Sequence, residues 1–398
     1  MSLRRKLAII ALVYVIEGFP MGVFRDVVPI YLRRHDVSLT SIGLLEVLSF
    51  AWFLKVIWSP LVDRIGERRQ WISGAMLVMA LCLAGIASRD SAQLGLFLWA
   101  CLGLYCLASA TQDVAIDAYS IGLADRGDEG PFNSMKATAY RIGMVTAGGG
   151  LLLLPRWIGW SWTFGAAAAL SAAFALCVRA APSVPVPPES RAATIEPLMR
   201  WLSRPGAVSA LLFVLLYRIG DRSMGPMVKP FWVDYGFPNE EIALINTTLG
   251  VVAMILGAIV GGVAVARFGI GRSLWAMGIF ALASNLGYAT VANFPETGRA
   301  GVYAASIVES FTSGLAGAAF LSYLMRICEK EHAAVQYALL TAVYGLSGTL
   351  SALPSGWLTE RMGYAAYFAL TAALALPAFV FLQRARLWIG DDSPYSSG

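Results

Sequence analysis

Charge is scarce in this chain. Only 14% of its 398 residues are Asp, Glu, Lys or Arg, against roughly 25% in a soluble globular domain. That shortage excludes an ordinary water-soluble fold. Histidine is scarcer still. His35 and His332 are the only two, both near loops, so H-E-x-x-H and related zinc motifs are absent. No metal site is expected. No nucleophile–base constellation can be assembled either, so neither an enzyme nor a bound cofactor is expected. The five cysteines, Cys82, Cys101, Cys106, Cys177 and Cys328, fall in or beside apolar runs without a C-x-x-C pair and read as packing residues. Polar stretches are nearly missing as well, which leaves almost nothing for a soluble domain.

What is present is apolar length. Hydrophobic residues make up 58% of the chain. Twelve runs are long enough to cross a bilayer, which takes about 20 mostly apolar residues: 7–31, 40–61, 71–88, 93–121, 133–155, 161–180, 206–232, 240–265, 273–292, 299–327, 333–355 and 363–386. A transmembrane β-barrel would show alternating segments of about ten residues, and these runs are longer and uniformly apolar. The chain opens MSLRRKLAIIALVYVIEGFP. A basic start before an apolar stretch can be a secretory signal. Here Glu17 interrupts the stretch and no small-x-small cleavage site follows, so it reads as the first span. Basic residues gather in alternate connections, as in Arg4-Arg5-Lys6, Arg64 with Arg68-Arg69, and Arg267 with Arg272. The positive-inside rule then puts both termini in the cytoplasm. The net charge of +5 is this bias and implies no nucleic-acid partner; the lipid bilayer is the partner expected.

One long polar connection, RAAPSVPVPPESRAATIEPLMRWLSRPG, divides six spans from six. Its Pro-rich part is extended. Its second part sets Ile195, Leu198, Met199 and Leu202 on one helical face, with Arg200 and Arg204 available to lipid phosphates, and predicts a helix on the inner leaflet. The halves then repeat weakly at a shift of 201–204 residues. Arg64-Ile65-Gly66 answers Arg267-Phe268-Gly269, Pro29-Ile30-Tyr31 answers Pro230-Phe231-Trp232, and Ser109, Ala115 and Tyr119 answer Ser313, Ala319 and Tyr323. Repeated six-span halves are the architecture of major facilitator transporters, whose halves rock about a central site. The expected fold is therefore an all-α polytopic membrane protein of twelve transmembrane helices. Its divisions are an N-terminal six-helix half (1–181), a cytoplasmic linker (182–205) and a C-terminal half (206–398).

The loop SPLVDRIGERR resembles that superfamily's G-x-L-x-D-R-x-G-R-R loop between spans two and three, departing at Ser59 and Glu67. Asp63 and Arg64, with Arg267 in the second half, are the expected inner latch. Other stretches carry a closer resemblance, to the AmpG-like permeases, which are related to acetyl-CoA transporters. They are Leu54-Lys55 through Trp58-Ser59-Pro60-Leu61, Ser109 through Asp113 with Asp117-Ala118-Tyr119, Tyr140-Arg141, Tyr217-Arg218 with Gly220-Asp221, Ser284-Asn285 with Gly287-Tyr288, and Gln336 with Ala338-Leu339-Leu340. They run in order over nearly all twelve spans. The resemblance implies a proton-driven importer of cell-wall muropeptides in the bacterial inner membrane, or of siderophores in some members. Departures at Thr247, Ser310 and Ser347, and an Arg25-Asp26 pair foreign to the family, keep a siderophore, drug or other organic anion open as cargo. A non-transporting membrane sensor is the reading from a different class. A monomer is expected.

Each charge inside a span needs a partner or a task, because it costs about 2.5–3.5 kcal/mol at the bilayer centre on insertion scales. Asp113 and Asp117 lie four apart on one face of span four. Arg141 in span five is the expected partner, held as a permanent pair or released when an aspartate takes a proton. Glu17 in span one and Glu309 in span ten complete the proton-coupling candidates. Substrate contacts are expected from Arg141, from Arg218, Asp221 and Arg222 at the start of span seven, from the mid-span amides Gln112 and Asn285, and from Lys55 and Tyr140. A local Arg218–Asp221 pair in a kinked helix is the structural alternative for span seven. Lys229 is expected to reach outward. The proton gradient is the only energy source implied.

Overall fold

The computed structural model describes residues 1–89, 95–123, 129–184, 201–328 and 333–385. Among the described residues there is no strand, and twelve helical spans follow one another, each on one of the apolar runs. They are α1 (Leu3–Arg34), α2 (39–64), α3 (Arg68–Ala87), α4 (Leu96–Leu123), α5 (Glu129–Val145, continued by a π-turn at Thr146–Gly150) and α6 (Pro155–Arg179). The second set is α7 (207–234), α8 (Asn239–Phe268), α9 (Ile270–Asn293), α10 (Gly298–Arg326), α11 (Ala333–Ala352) and α12 (Ser355–Arg384). Seven of them are long and apolar enough by composition to cross a membrane. Large side chains such as Ile57, Leu81, Leu176 and Val380 face outward, which suits contact with hydrocarbon rather than water.

Chain contacts divide the protein into two compact units. The first comprises Met1–Val37, Val47–Ser190 and Trp232–Thr247, and the second Ser38–Glu46, Arg191–Phe231 and Thr248–Gly398. Each takes its bulk from one half of the sequence and a short segment from the other. In the first unit the bidentate Arg33–Asp234 pair (2.5 and 2.8 Å) and the bonds of Arg34 to Phe237 O and Asn239 Oδ1 hold the borrowed segment. In the second, Glu360 accepts from the Thr40 backbone N–H (3.0 Å) and hydroxyl (2.5 Å). A carboxylate there answers the unpaired N–H groups that open a helix.

The repeat is written in the backbone more clearly than in the side chains. Left-handed φ angles recur at matching places: Asp36 (56°) and Gly236 (76°), Gly66 (69°) and Gly269 (81°), Gly159 (74°) and Gly363 (78°). After α1 and α7 the same C-terminal bond pattern appears, Val37 N–H to Leu32 O and Phe237 N–H to Trp232 O, both 3.1 Å. Gly159 and Gly363 kink α6 and α12 alike. Several spans are not continuous α-helix, α2 and α1 among them. α2 breaks into short pieces around Gly43, Ser49 and Pro60, with a 3-10 turn at Lys55–Ile57. α1 carries a π-helical segment at Val23–Val27. Such segments inside long helices often mark functional positions.

Glycines set the helix spacing. A Cβ on Gly18 would lie 2.0 Å from Tyr140 O and one on Gly143 2.1 Å from Val15 O, so α1 and α5 touch backbone to backbone. In the second unit Gly257 meets Phe311 O and Gly314 meets Met254 O, each at 2.0 Å from the built Cβ. Gly257 and Gly261, four residues apart, thus present one face of α8 closely to α10. The linker residues Ile195, Leu198, Met199 and Arg200 lie outside the described residues. Trp201, at the end of that stretch, is buried and donates its indole N–H to Ile327 O (3.1 Å). Gly257→Ala should cost about 1–3 kcal/mol through overpacking and lower the Tm. Gly262→Ala, with open space around its Cβ, should leave the Tm unchanged or raise it. Thermal unfolding in detergent checks the pair.

Candidate functional site

Four helices of the first unit converge on a cluster of charge. α4 supplies Asp113 and Asp117, α1 supplies Tyr14 and Glu17, the 3-10 turn of α2 supplies Lys55, and α5 supplies Lys136. The glycine contact of α1 with α5 lets the first span come close enough to bring Tyr14 and Glu17 in. Lys55 Nζ forms an ion pair with Asp113 Oδ2. Both side chains keep partial exposure, 27% and 18%. Glu17 comes within hydrogen-bonding reach of the same Asp113, and its Oε2 is buried with no hydrogen-bond partner. One turn further along α4, Asp117 Oδ1 accepts from the Tyr14 hydroxyl at 2.8 Å, and Ser120 lies 3.3 Å from the same hydroxyl. Lys136 stands 5.0 Å from the centre of the Tyr14 ring.

Three carboxyl groups thus share one directly paired lysine. The arrangement corrects the expected pairing in one respect. Arg141 is half-exposed and forms no ion pair with Asp113 or Asp117 among the described residues, because Lys55 from the broken α2 takes that place. Tyr140 lies near Glu17, while its carbonyl packs under Gly18. Gln112 is fully buried and donates to Ile16 O (3.3 Å) and Met76 Sδ (3.2 Å). It bridges α4 to α1 and α3, so it reads as a fastening of the bundle more than as a substrate contact. Sequence reasoning passed over Lys136. Its signal was a lysine inside a span whose one acidic residue, Glu129, lies two turns away.

The second unit has cations where the first has carboxylates. The 201-residue shift that sets Pro230 against Pro29 also sets Arg218 against Glu17. Arg218 is buried and engaged at both terminal nitrogens: it donates to Ser313 O (2.6 Å) and Ser313 Oγ (2.7 Å) and pairs with Asp221 (3.1 Å). The structural alternative for this pair is the arrangement seen. Asn285 is buried, lies within hydrogen-bonding reach of Asp221 and donates to Thr371 Oγ1 (3.4 Å). Glu309 is contacted by the Ser310 hydroxyl at 3.4 Å. Lys229 is buried instead of reaching outward. Arg222 is exposed and lies over the Tyr344 ring at 4.4 Å, its Nε donating to the Tyr344 hydroxyl at 3.0 Å. Gly348 makes this possible, since a Cβ there would press on Arg222 Cδ at 3.2 Å. Of the two arginines, Arg222 is the exposed one.

The inner-latch side chains Asp63 and Arg64 lie outside the described residues, and Arg267 is exposed. Their neighbours act as helix-end clamps. Arg68 donates to Ala118 O (2.8 Å) and Arg69 to Ala181 O (2.9 Å), satisfying carbonyls near the ends of α4 and α6.

Because Lys55 and Asp113 compensate one another, Lys55→Met alone should lower the Tm more than Lys55→Met combined with Asp113→Asn. Removing one partner strands the other charge, whereas removing both does not. A thermal-shift double-mutant cycle reads this directly.

The family model described as Major Facilitator Superfamily matches the chain twice, over residues 10–217 and 210–398, one match for each set of six helices. The chain is 28% identical over 386 residues to the anhydromuropeptide permease of Escherichia coli strain K12, covering 94% of this chain and 78% of that protein. Among solved structures, a bacterial homologue of the human lysosomal transporter Spinster superposes with a TM-score of 0.76 at 14% identity, over 98% of this chain and 99% of that one. The nucleoside transporter NupG superposes at 0.75 and 15% identity, over 96% and 99%. With its helices, its repeat and both halves matched, the chain belongs to the Major Facilitator Superfamily and is a multi-pass membrane transporter.

Proposed function

We propose that this transporter is a proton-coupled importer of an anionic amphipathic solute, a peptidoglycan fragment of the anhydromuropeptide type, across the inner membrane with both termini cytoplasmic. The observation that carries the reading is the Lys55–Asp113 ion pair with Glu17 beside it, its buried Oε2 without a hydrogen-bond partner. Two carboxyl groups in contact form a hydrogen bond only when one of them holds a proton. A proton arriving at this pair weakens the hold of Asp113 on Lys55. Lys55, on a 3-10 turn in a broken helix, then becomes available to an anionic group of the solute. When the proton leaves, Asp113 takes Lys55 back and the solute is released. Tyr14 keeps Asp117 oriented beside the exchange and Lys136 offsets its charge. Within the second unit, Arg222 stacked on Tyr344 is a separate pairing of cation and ring.

The cargo class draws its support from the similarity to the anhydromuropeptide permease over 94% of the chain and from the mixture of cation and aromatic ring at Arg222. The inward orientation of the termini draws on the basic bias of the alternate connections.

Uptake of labelled anhydromuropeptide into proteoliposomes, driven by an inward proton gradient, tests the reading. Glu17→Gln and Asp113→Asn should each lower gradient-driven uptake, by about 5–150-fold if coupling has its usual strength, while solute exchange at equal pH survives. If both variants keep wild-type uptake and pH dependence, proton coupling at this cluster is wrong. Competition by a ferric siderophore, with no competition by muropeptide, would move the cargo to the second class.

A further inference from the structure

The repeat offers an internal control for what the fold requires at the outer end of α6 and α12. In the second unit the start of α2 is stitched to α12. Thr40 bonds Glu360 twice, and Gly43 and Leu39 press on the backbone of Gly356. The matching place in the first unit joins the start of α8 to α6, and it is not closed. Arg156 and Glu240, the counterparts of Glu360 and Thr40, stand 3.7 Å apart. The Glu240 Oε1 atom is buried from water and takes no hydrogen bond. Between them lies a cleft of about 380 Å3, within the range of small-molecule pockets.

The walls of this cleft have a mixed character. Pro155, Pro238 and Trp160 give it rigid apolar faces. Trp160 is held from behind by Tyr31 (ring centres 5.2 Å) and Phe164 (6.2 Å), so its ring is a fixed platform. Arg34 is fastened to Phe237 O and Asn239 and fixes the floor. Arg156 is 70% exposed and only loosely paired, so its guanidinium can turn to a ligand. Glu240 Oε1, which Arg156 reaches only at 3.7 Å, offers an acceptor without a hydrogen bond, and Asn239 an amide.

We propose that this cleft binds a sugar acid. The pyranose face packs on Trp160 and the proline rings, a ring hydroxyl donates to Glu240 Oε1, and the carboxylate pairs with Arg156. A flat ring with both hydroxyls and one anionic group is the chemistry that uses every wall. The proposal rests on the import reading for its direction of use: with the termini cytoplasmic, the cleft faces outside and loads solute ahead of the Asp113 cluster.

Equilibrium binding of N-acetylmuramic acid to the purified full-length protein tests it, with N-acetylglucosamine as the counterpart lacking the carboxylate. Binding of the acid should exceed that of the neutral sugar by at least about tenfold. Arg156→Gln should weaken it about ten- to a hundredfold, and Trp160→Ala should weaken it too. Unchanged Tm in Arg156→Gln, expected for so exposed a side chain, separates lost binding from lost fold. Asp113→Asn should leave this binding intact even where it abolishes gradient-driven uptake, so the cleft and the proton cluster fail independently. Absence of binding in the wild type, equal binding of both sugars, or binding that survives both cleft variants overturns the proposal.

Discussion

The Lys55–Asp113 ion pair ties α2 to α4 inside the membrane-spanning part of the first unit, and the other polar features of that unit are arranged around it. A lone lysine or aspartate in a span carries a desolvation cost that only a close partner offsets. Once Asp113 is committed to Lys55, the second carboxylate on its helix needs its own partner, and Tyr14 supplies a hydroxyl at 2.8 Å. Glu17 has no cation of its own and leans on Asp113. The cluster therefore holds more acid than base, and its balance depends on protons. The broken course of α2 belongs to the same constraint, because the 3-10 turn is what carries Lys55 at the point where α4 passes.

The two halves keep one backbone plan and place different charges on it. Where the first half has Glu17, the second has Arg218. Where the first has Asp113, the second has Gly317, whose built Cβ lies 3.5 Å from the Arg218 guanidinium. Ser109 has the counterpart Ser313, and Ser313 is the residue that pins Arg218. The second half thus commits Arg218 to structure, while the exposed guanidinium of Arg222 is steadied by Tyr344. A repeat of this kind allows each half to specialise without altering the left-handed turns at Gly159 and Gly363 on which its helix directions depend.

The spans were legible in the sequence because apolar length is a one-dimensional property, and among the described residues each of the twelve runs carries a helix. The repeat was legible where glycine is needed for a positive φ, as at Gly66 and Gly269. The partner of Asp113 was not. Arg141 is near in sequence and on the next helix, whereas Lys55 arrives by way of a 3-10 turn that no apolar period announces. The amide of Gln112 looked like a cavity contact, since nothing in its spacing separates a side chain facing solute from one reaching to Ile16 O. Asp221 was legible, because three residues place it on the same helix face as Arg218.

The central claim is that the Glu17–Asp113 pair exchanges a proton when solute is bound. The most direct measurement is the infrared absorption of protonated carboxyl groups in the purified protein, recorded as a difference on adding anhydromuropeptide. The account predicts a change in the carboxylic C=O band that disappears in Glu17→Gln and in Asp113→Asn. A band that does not respond to solute, or responds equally in both variants and the wild type, would contradict it.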